Sequence, residues 1–267
     1  MPSSPREQLG RKLRDLRLRA GLSGDALAAQ TGLSQSKVSR VERGLSLPSV
    51  EELRAWATAT EASGSELREL VGFVEQVATS ATSWRVLHQL GLAEKQQEIA
   101  ELEQHAFEIH TFQPSMIPGL LQTADYARRM LSESFPGITM QDVQARMERQ
   151  AILYDESKRF AFVITEAALR WRPGDTDMRQ QLDRLTSMAS LPNVTISVLP
   201  IGAGSPPILH PFVIWHLEDE VTVSVETYSA ELWVTELREV DRYREVWQRL
   251  SETAQPWRPG SWPTPVQ

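Results

Sequence analysis

Gln35, Ser36, Lys37, Ser39, Arg40 and Arg43 place amide, hydroxyl and cationic groups in one short segment, with Val38 and Val41 falling three apart between them. On a helix those two valines share an inward face, which leaves the polar side chains pointing outward. Such a face has the chemistry to read base edges in a DNA major groove. Gln pairs bidentately with adenine, Arg with guanine and Ser with several edges, while Lys favours phosphate.

Reading bases requires elements that present this face. Ser34 is a good N-cap for the helix that carries it. Upstream, Ser23 caps an earlier helix whose Ala26, Leu27 and Ala28 face inward, and Gly32 supplies the turn. Residues 23–44 therefore read as a helix-turn-helix. The competing reading is an ordinary helical hairpin with a solvated polar face. The context argues against it: an amphipathic first helix in EQLGRKLRDLRLRAG, a fourth in SVEELRAWATATE after Pro48, and a fifth in SELRELVGFVEQVA with Leu67, Leu70, Val71, Val74 and Val77 at helical spacing.

In order, lengths and turn residues, these five helices resemble the lambda-repressor-like (XRE) family of bacterial DNA-binding domains. The resemblance implies that Gln35, Ser36 and Arg40 read bases and that Ser23, Lys37, Ser39 and Arg43 meet phosphates. It also implies that Arg17 and Glu42 form a structural ion pair. Many members carry Gln at the second position of the first motif helix as a phosphate clamp. Gly24 stands there in this chain, so that contact is expected to be weaker or to come from backbone N–H groups.

Charge is distributed in keeping with DNA binding. Residues 1–44 hold nine Lys or Arg against four Asp or Glu, whereas the whole chain is at −7. A local basic region on an acidic chain argues for selective, salt-sensitive binding over general nucleic-acid coating. With 267 residues there is room for one further domain, and zero Cys excludes thiol chemistry and disulfides. No apolar run is long enough for a membrane span and MPSSPREQLG has no signal-peptide core, so a cytoplasmic location is expected.

The expected layout is a helix-turn-helix domain over residues 1–75, an α+β effector or partner-binding domain over 84–255, and a Pro/Trp-rich tail over 256–267. The boundary falls between 60 and 83, where EASGSE and TSATS interrupt the helical patterns. An amphipathic pattern runs from Trp84 to about Glu108, and after the extended stretch TFQPSMIPGLLQT come helices near 123–134 and 139–155. RFAFVITE, NVTISVLP, PFVIWHLE and VTVSVETY read as four strands, with a helical stretch near 175–190 between the first two and an amphipathic helix in ELREVDRYREVWQRL. The fold class is thus mainly α, with a smaller α+β part holding a mixed sheet.

Several pieces between 84 and 255, in order IPGLLQTADYARRML, RMERQAIL, ITEAALRWRPG, MRQQLDRL and PNVTISVLP, are similar to the domain of unknown function that follows the helix-turn-helix in actinobacterial, WhiJ-type, antitoxin-like regulators. That resemblance implies a small neighbouring protein as partner, whose binding alters DNA occupancy. Ile117, Leu120, Leu121 and Tyr126 lie close in sequence around the Pro118–Gly119 turn and are candidates for an apolar docking patch, against the alternative that they fill the core. Trp171, Trp215 and Trp233 read as core. Glu166 and Glu226 can line a polar pocket or end a strand.

Enzyme readings find little support, since nucleophile elbow, phosphate loop, HExxH and dinucleotide fingerprint are all missing. None of His88, His105, His110, His210 and His216 forms an i, i+4 pair, so no metal or other cofactor is expected. The reading is a homodimeric, sequence-specific transcriptional regulator. Its alternatives are a metabolite-sensing repressor with a small-molecule pocket and a DNA-tethered enzyme.

Overall fold

The computed structural model describes residues 5–78, 82–83, 92–134, 137–227 and 230–262; the start of the helical pattern at Trp84, most of the TSATS segment and the last five residues lie outside them. Two compact units form, Met1–Thr82 with Leu232–Glu236 and Ser83–Glu231 with Leu237–Gln267.

The first unit contains five helices, α1 (Pro5–Arg19), α2 (Gly24–Thr31), α3 (Gln35–Glu42), α4 (Val50–Ala59) and α5 (Gly64–Ala78). Capping explains where they begin. Ser23, Ser34 and Ser49 each accept a hydrogen bond from the backbone N–H three residues on, and Glu52 closes a capping box with Ser49. Gly32 ends α2 at φ 75°, a left-handed conformation that a Cβ would penalise. Leu13, Leu27, Val38, Val41, Leu53 and Trp56 come from four helices into one apolar core, and the Trp56 indole N–H donates to the Leu13 carbonyl at 3.2 Å. Leu70 and Val74 of α5 close it, as the spacing predicts.

The second unit is built on a mixed sheet. Its strands are β2 (Ala106–Gln113), β3 (Arg159–Thr165), β4 (Val194–Leu199), β5 (Phe212–Leu217), β6 (Val221–Glu226) and β8 (Gln255–Pro256); β1 (Thr82–Ser83) and β7 (Ala230–Val234) are shorter pieces near the unit boundary. Strand order within this unit is β6-β5-β2-β3-β4-β8. β2–β3 and β3–β4 are parallel, while β2–β5, β5–β6 and β4–β8 are antiparallel. Parallel neighbours need crossovers. Between β2 and β3 these are α7 (Ala124–Ser134) and α8 (Met140–Arg149), and between β3 and β4 they are α9 (Glu166–Arg170) and α10 (Met178–Ala189); α6 (Leu92–His105) precedes β2 and α11 (Leu237–Thr253) follows β7.

The four strands expected from sequence all form. β2 is the correction: its first residues were expected to end a helix, yet AFEIHTFQ is an inner strand held between β3 and β5. The tail also contributes, since Gln255 and Pro256 pair with Val198 and Ser197. Trp215 is buried as expected and donates to the Ser224 hydroxyl, while Trp171 remains 38% exposed against the edge of Tyr126.

Candidate nucleic-acid interface and effector domain

On α3 the structure sorts the expected DNA contacts into two groups. Gln35 and Arg43 are exposed and Ser36 and Ser39 half-buried. Arg40 is only 2% exposed and Lys37 only 4%. Lys37 lies 3.6 Å from Glu52 of α4. An Arg40 enclosed in this way cannot hydrogen-bond a base edge, and Lys37 does not present its ammonium to phosphate. Both expectations need correction: an eight-residue helix seated against α1 and α2 hides more of its circumference than the Val38–Val41 spacing alone suggests.

Ser23 is exposed, with its hydroxyl oxygen accepting from Ala26 N–H at 3.1 Å as the α2 cap. A Cβ on Gly24 would stand 3.8 Å from Gln35 Nε2. The missing side chain thus leaves room for the Gln35 amide beside the N-terminus of α2, in the place where the clamp of the resembled family would pack.

The expected ion pair is present. Arg17 Nε and Nη2 reach the two Glu42 carboxylate oxygens at 2.5 and 2.8 Å, and Arg17 Nη1 donates to the Leu22 carbonyl at 2.8 Å. Both side chains are about nine-tenths enclosed, at 11% and 9% exposure. This fork joins α1, the α1–α2 turn and the end of α3. The surplus positive charge read from residues 1–44 is partly cancelled in space, because Lys12 pairs with Glu69 and Arg19 with Glu66, both from α5. Arg43 is the exposed cation at the end of α3.

In the second unit Ile117, Leu120, Leu121 and Tyr126 are all buried, which overturns the docking-patch expectation. A polar cradle accounts for it. Gln122 Nε2 donates to the Ile117 carbonyl, Gln150 Nε2 to the Gly119 and Gln122 carbonyls, and Gln181 Nε2 to the Leu121 carbonyl, each within 2.9 Å. The Tyr126 hydroxyl accepts from Ile117 N–H. With its backbone satisfied, the turn can sit inside the protein and direct its side chains into the core. Glu166 accepts from Ile201 N–H at 2.9 Å and pairs with Arg170, pinning the IGAG loop instead of lining a pocket.

Beneath this cradle Glu103 lies 3.2 Å from Arg149 but is not aligned to accept its hydrogen bond. Burial raises the Glu103 carboxyl to about 7, outweighing the attraction of Arg149, Arg146 and Lys158. The carboxyl binds its proton more tightly in the folded than in the unfolded chain, so its contribution to stability is fully present below about pH 4.5 and is lost as pH rises through about 7. Glu103→Gln is expected to remove this component. Urea unfolding of both chains between pH 4.5 and 8 checks it, and parallel stability curves would refute it.

A different surface of this unit is open. Phe112, Phe212, Tyr243 and Val246 line an apolar cleft of about 240 Å³ between the sheet and α11. Ile208 and Leu209 form its lip at 43% and 83% exposure, and Glu239 and Arg242 stand at its margin. Sequence reading passed over the 207–209 segment because Pro and Gly mark it as a loop.

A five-helix unit with a capped, polar-faced α3, joined to a separate α+β unit, defines a helix-turn-helix DNA-binding protein with an appended domain. A family model described as "Helix-turn-helix domain" matches residues 8–70, and one described as "Domain of unknown function (DUF5753)" matches residues 96–259. The chain is also 31% identical over 128 residues to the HTH-type transcriptional regulator SlrR of Bacillus subtilis (strain 168), an alignment covering 47% of this chain and 79% of that protein. The chain belongs to the DUF5753 family and is a helix-turn-helix transcription regulator. Among the described residues no helix is long and apolar enough to cross a membrane.

Proposed function

We propose that this regulator acts as a non-enzymatic homodimer, of the WhiJ-like, antitoxin-like kind, and that its second unit receives an apolar segment of a small protein partner which changes DNA occupancy. The cleft carries this reading. A lip of exposed Ile208 and Leu209 beside an aromatic floor is apolar surface that a lone soluble domain gains nothing by leaving uncovered. Glu239 and Arg242 at the margin give such a segment an orientation. Dimerisation is argued from DNA: one α3 spans few base pairs, and useful specificity comes from two copies on half-sites about 34 Å apart. A metabolite is the second reading, favoured by the enclosed aromatic floor.

The full chain and its Leu209→Glu variant, purified from a lysate of the source organism, separate these readings by native mass spectrometry. A small-protein mass on the parent chain, lost from the variant, supports the proposal. An added mass of a few hundred daltons points to the metabolite, and no added mass refutes partner binding. On a selected DNA site, Gln35→Ala is expected to cost about 1–3 kcal/mol and to flatten preference at one base pair. Equal losses on selected and random DNA would remove its base-reading role.

A further inference from the structure

β2 and β5 bring together three side chains that sequence spacing on a helix could not connect. Glu108 and His110 are two apart on β2 and so project from the same face. The antiparallel register sets His216 of β5 opposite Glu108. One donor atom from each of the three lies within 4.8 Å of the other two, and His110 Nε2 stands 3.1 Å from Glu108 Oε1. We propose that Glu108, His110 and His216 form a binding site for a first-row divalent transition cation of the zinc type.

The chemistry of the donor set fits. Two imidazoles and a carboxylate are the ligands such ions take, with solvent completing the shell, and donors on one ion stand about 3.0–3.5 Å apart. The Glu108–His110 pair already meets that spacing, and His216 closes on it by side-chain rotation. His216 Nε2 is enclosed without a hydrogen-bond partner, an unfavourable state that a metal bond would relieve. Neighbouring rings hold the ligands in place: Trp247 of α11 stacks on His110 at 4.6 Å and 9°, and the His110 and His216 rings meet edge-on at 4.7 Å. Arg244 opposes a cation here, but its guanidinium is drawn to Asp241 at 3.0 Å and is partly solvated.

The test uses the full chain without a polyhistidine tag, stripped by chelator and titrated with Co²⁺ and then Zn²⁺. One equivalent of Co²⁺ per chain with a visible d–d spectrum is expected, together with a rise in Tm on adding Zn²⁺. His216→Gln and Glu108→Gln should each weaken Co²⁺ binding by about 100-fold or more while leaving the metal-free far-UV circular dichroism unchanged. If one variant fails to fold, the other decides. Binding weaker than about 0.1 mM in the parent chain, or undiminished in the folded variants, overturns the proposal.

Discussion

Gly10→Ala should lower the stability of the first unit by more than about 3 kcal/mol, although alanine is the better helix former by about 1 kcal/mol. The reason is a backbone approach. A Cβ at position 10 would lie 2.5 Å from the Glu42 carbonyl oxygen and 2.6 Å from that of Val41, so α1 passes directly over the end of α3. These atoms belong to the main chain and cannot swing aside as a side-chain tip can, so the whole crossing must widen. Gly72 is the internal control: it is also helical, in α5, and a Cβ there would meet nothing within 4 Å. Gly72→Ala is therefore expected to be neutral or to stabilise by about 0.5–1 kcal/mol. Chemical denaturation of both variants measures the contrast, and similar effects from the two would disprove the close-approach account.

Arg17→Ala should cost about 3 kcal/mol at the same crossing. It strands the Glu42 carboxylate at 9% exposure, removes two charged hydrogen bonds to it, and leaves the Leu22 carbonyl without its guanidinium donor. Arg17→Lys keeps the charge but loses the two-pronged geometry, so it should fall between parent and alanine. Base preference, measured on those chains that remain folded, is expected to be unchanged because Arg17 faces the protein. A melting temperature unmoved by Arg17→Ala would show that the pair contributes nothing to stability. Together with Gly10, this pair fixes how α3 is held, and so what it can present to DNA.

The helix-turn-helix was legible because its signals are local. Ser23 and Ser34 cap within one turn, Gly32 supplies a left-handed residue, and the valine spacing of α3 marks an inward face. The four strands after residue 158 were legible for the same reason, as short β-branched and aromatic runs between turn residues. β2 was not: in AFEIHTFQ, Glu108 and His110 interrupt the apolar pattern, and the helical pattern of α6 runs straight into it. Its identity as a strand comes from β3 and β5, far off in the chain. The polar residues that hid the strand are the same ones that converge with His216.

Thus the sequence by itself determined that a capped helix-turn-helix stands at the N-terminal side, that Arg17 and Glu42 belong to its structure through a family resemblance, and that a mixed helix-and-strand unit follows. Tertiary packing decided which polar side chains are available. It withdrew Arg40 and Lys37 from the exposed face of α3, turned Ile117, Leu120, Leu121 and Tyr126 inward over a glutamine cradle, and left Ile208 and Leu209 uncovered. The physical reason is range: caps and periodicity act over one or two turns, whereas burial and cross-strand register depend on partners up to about a hundred residues away, as Glu108 and His216 are.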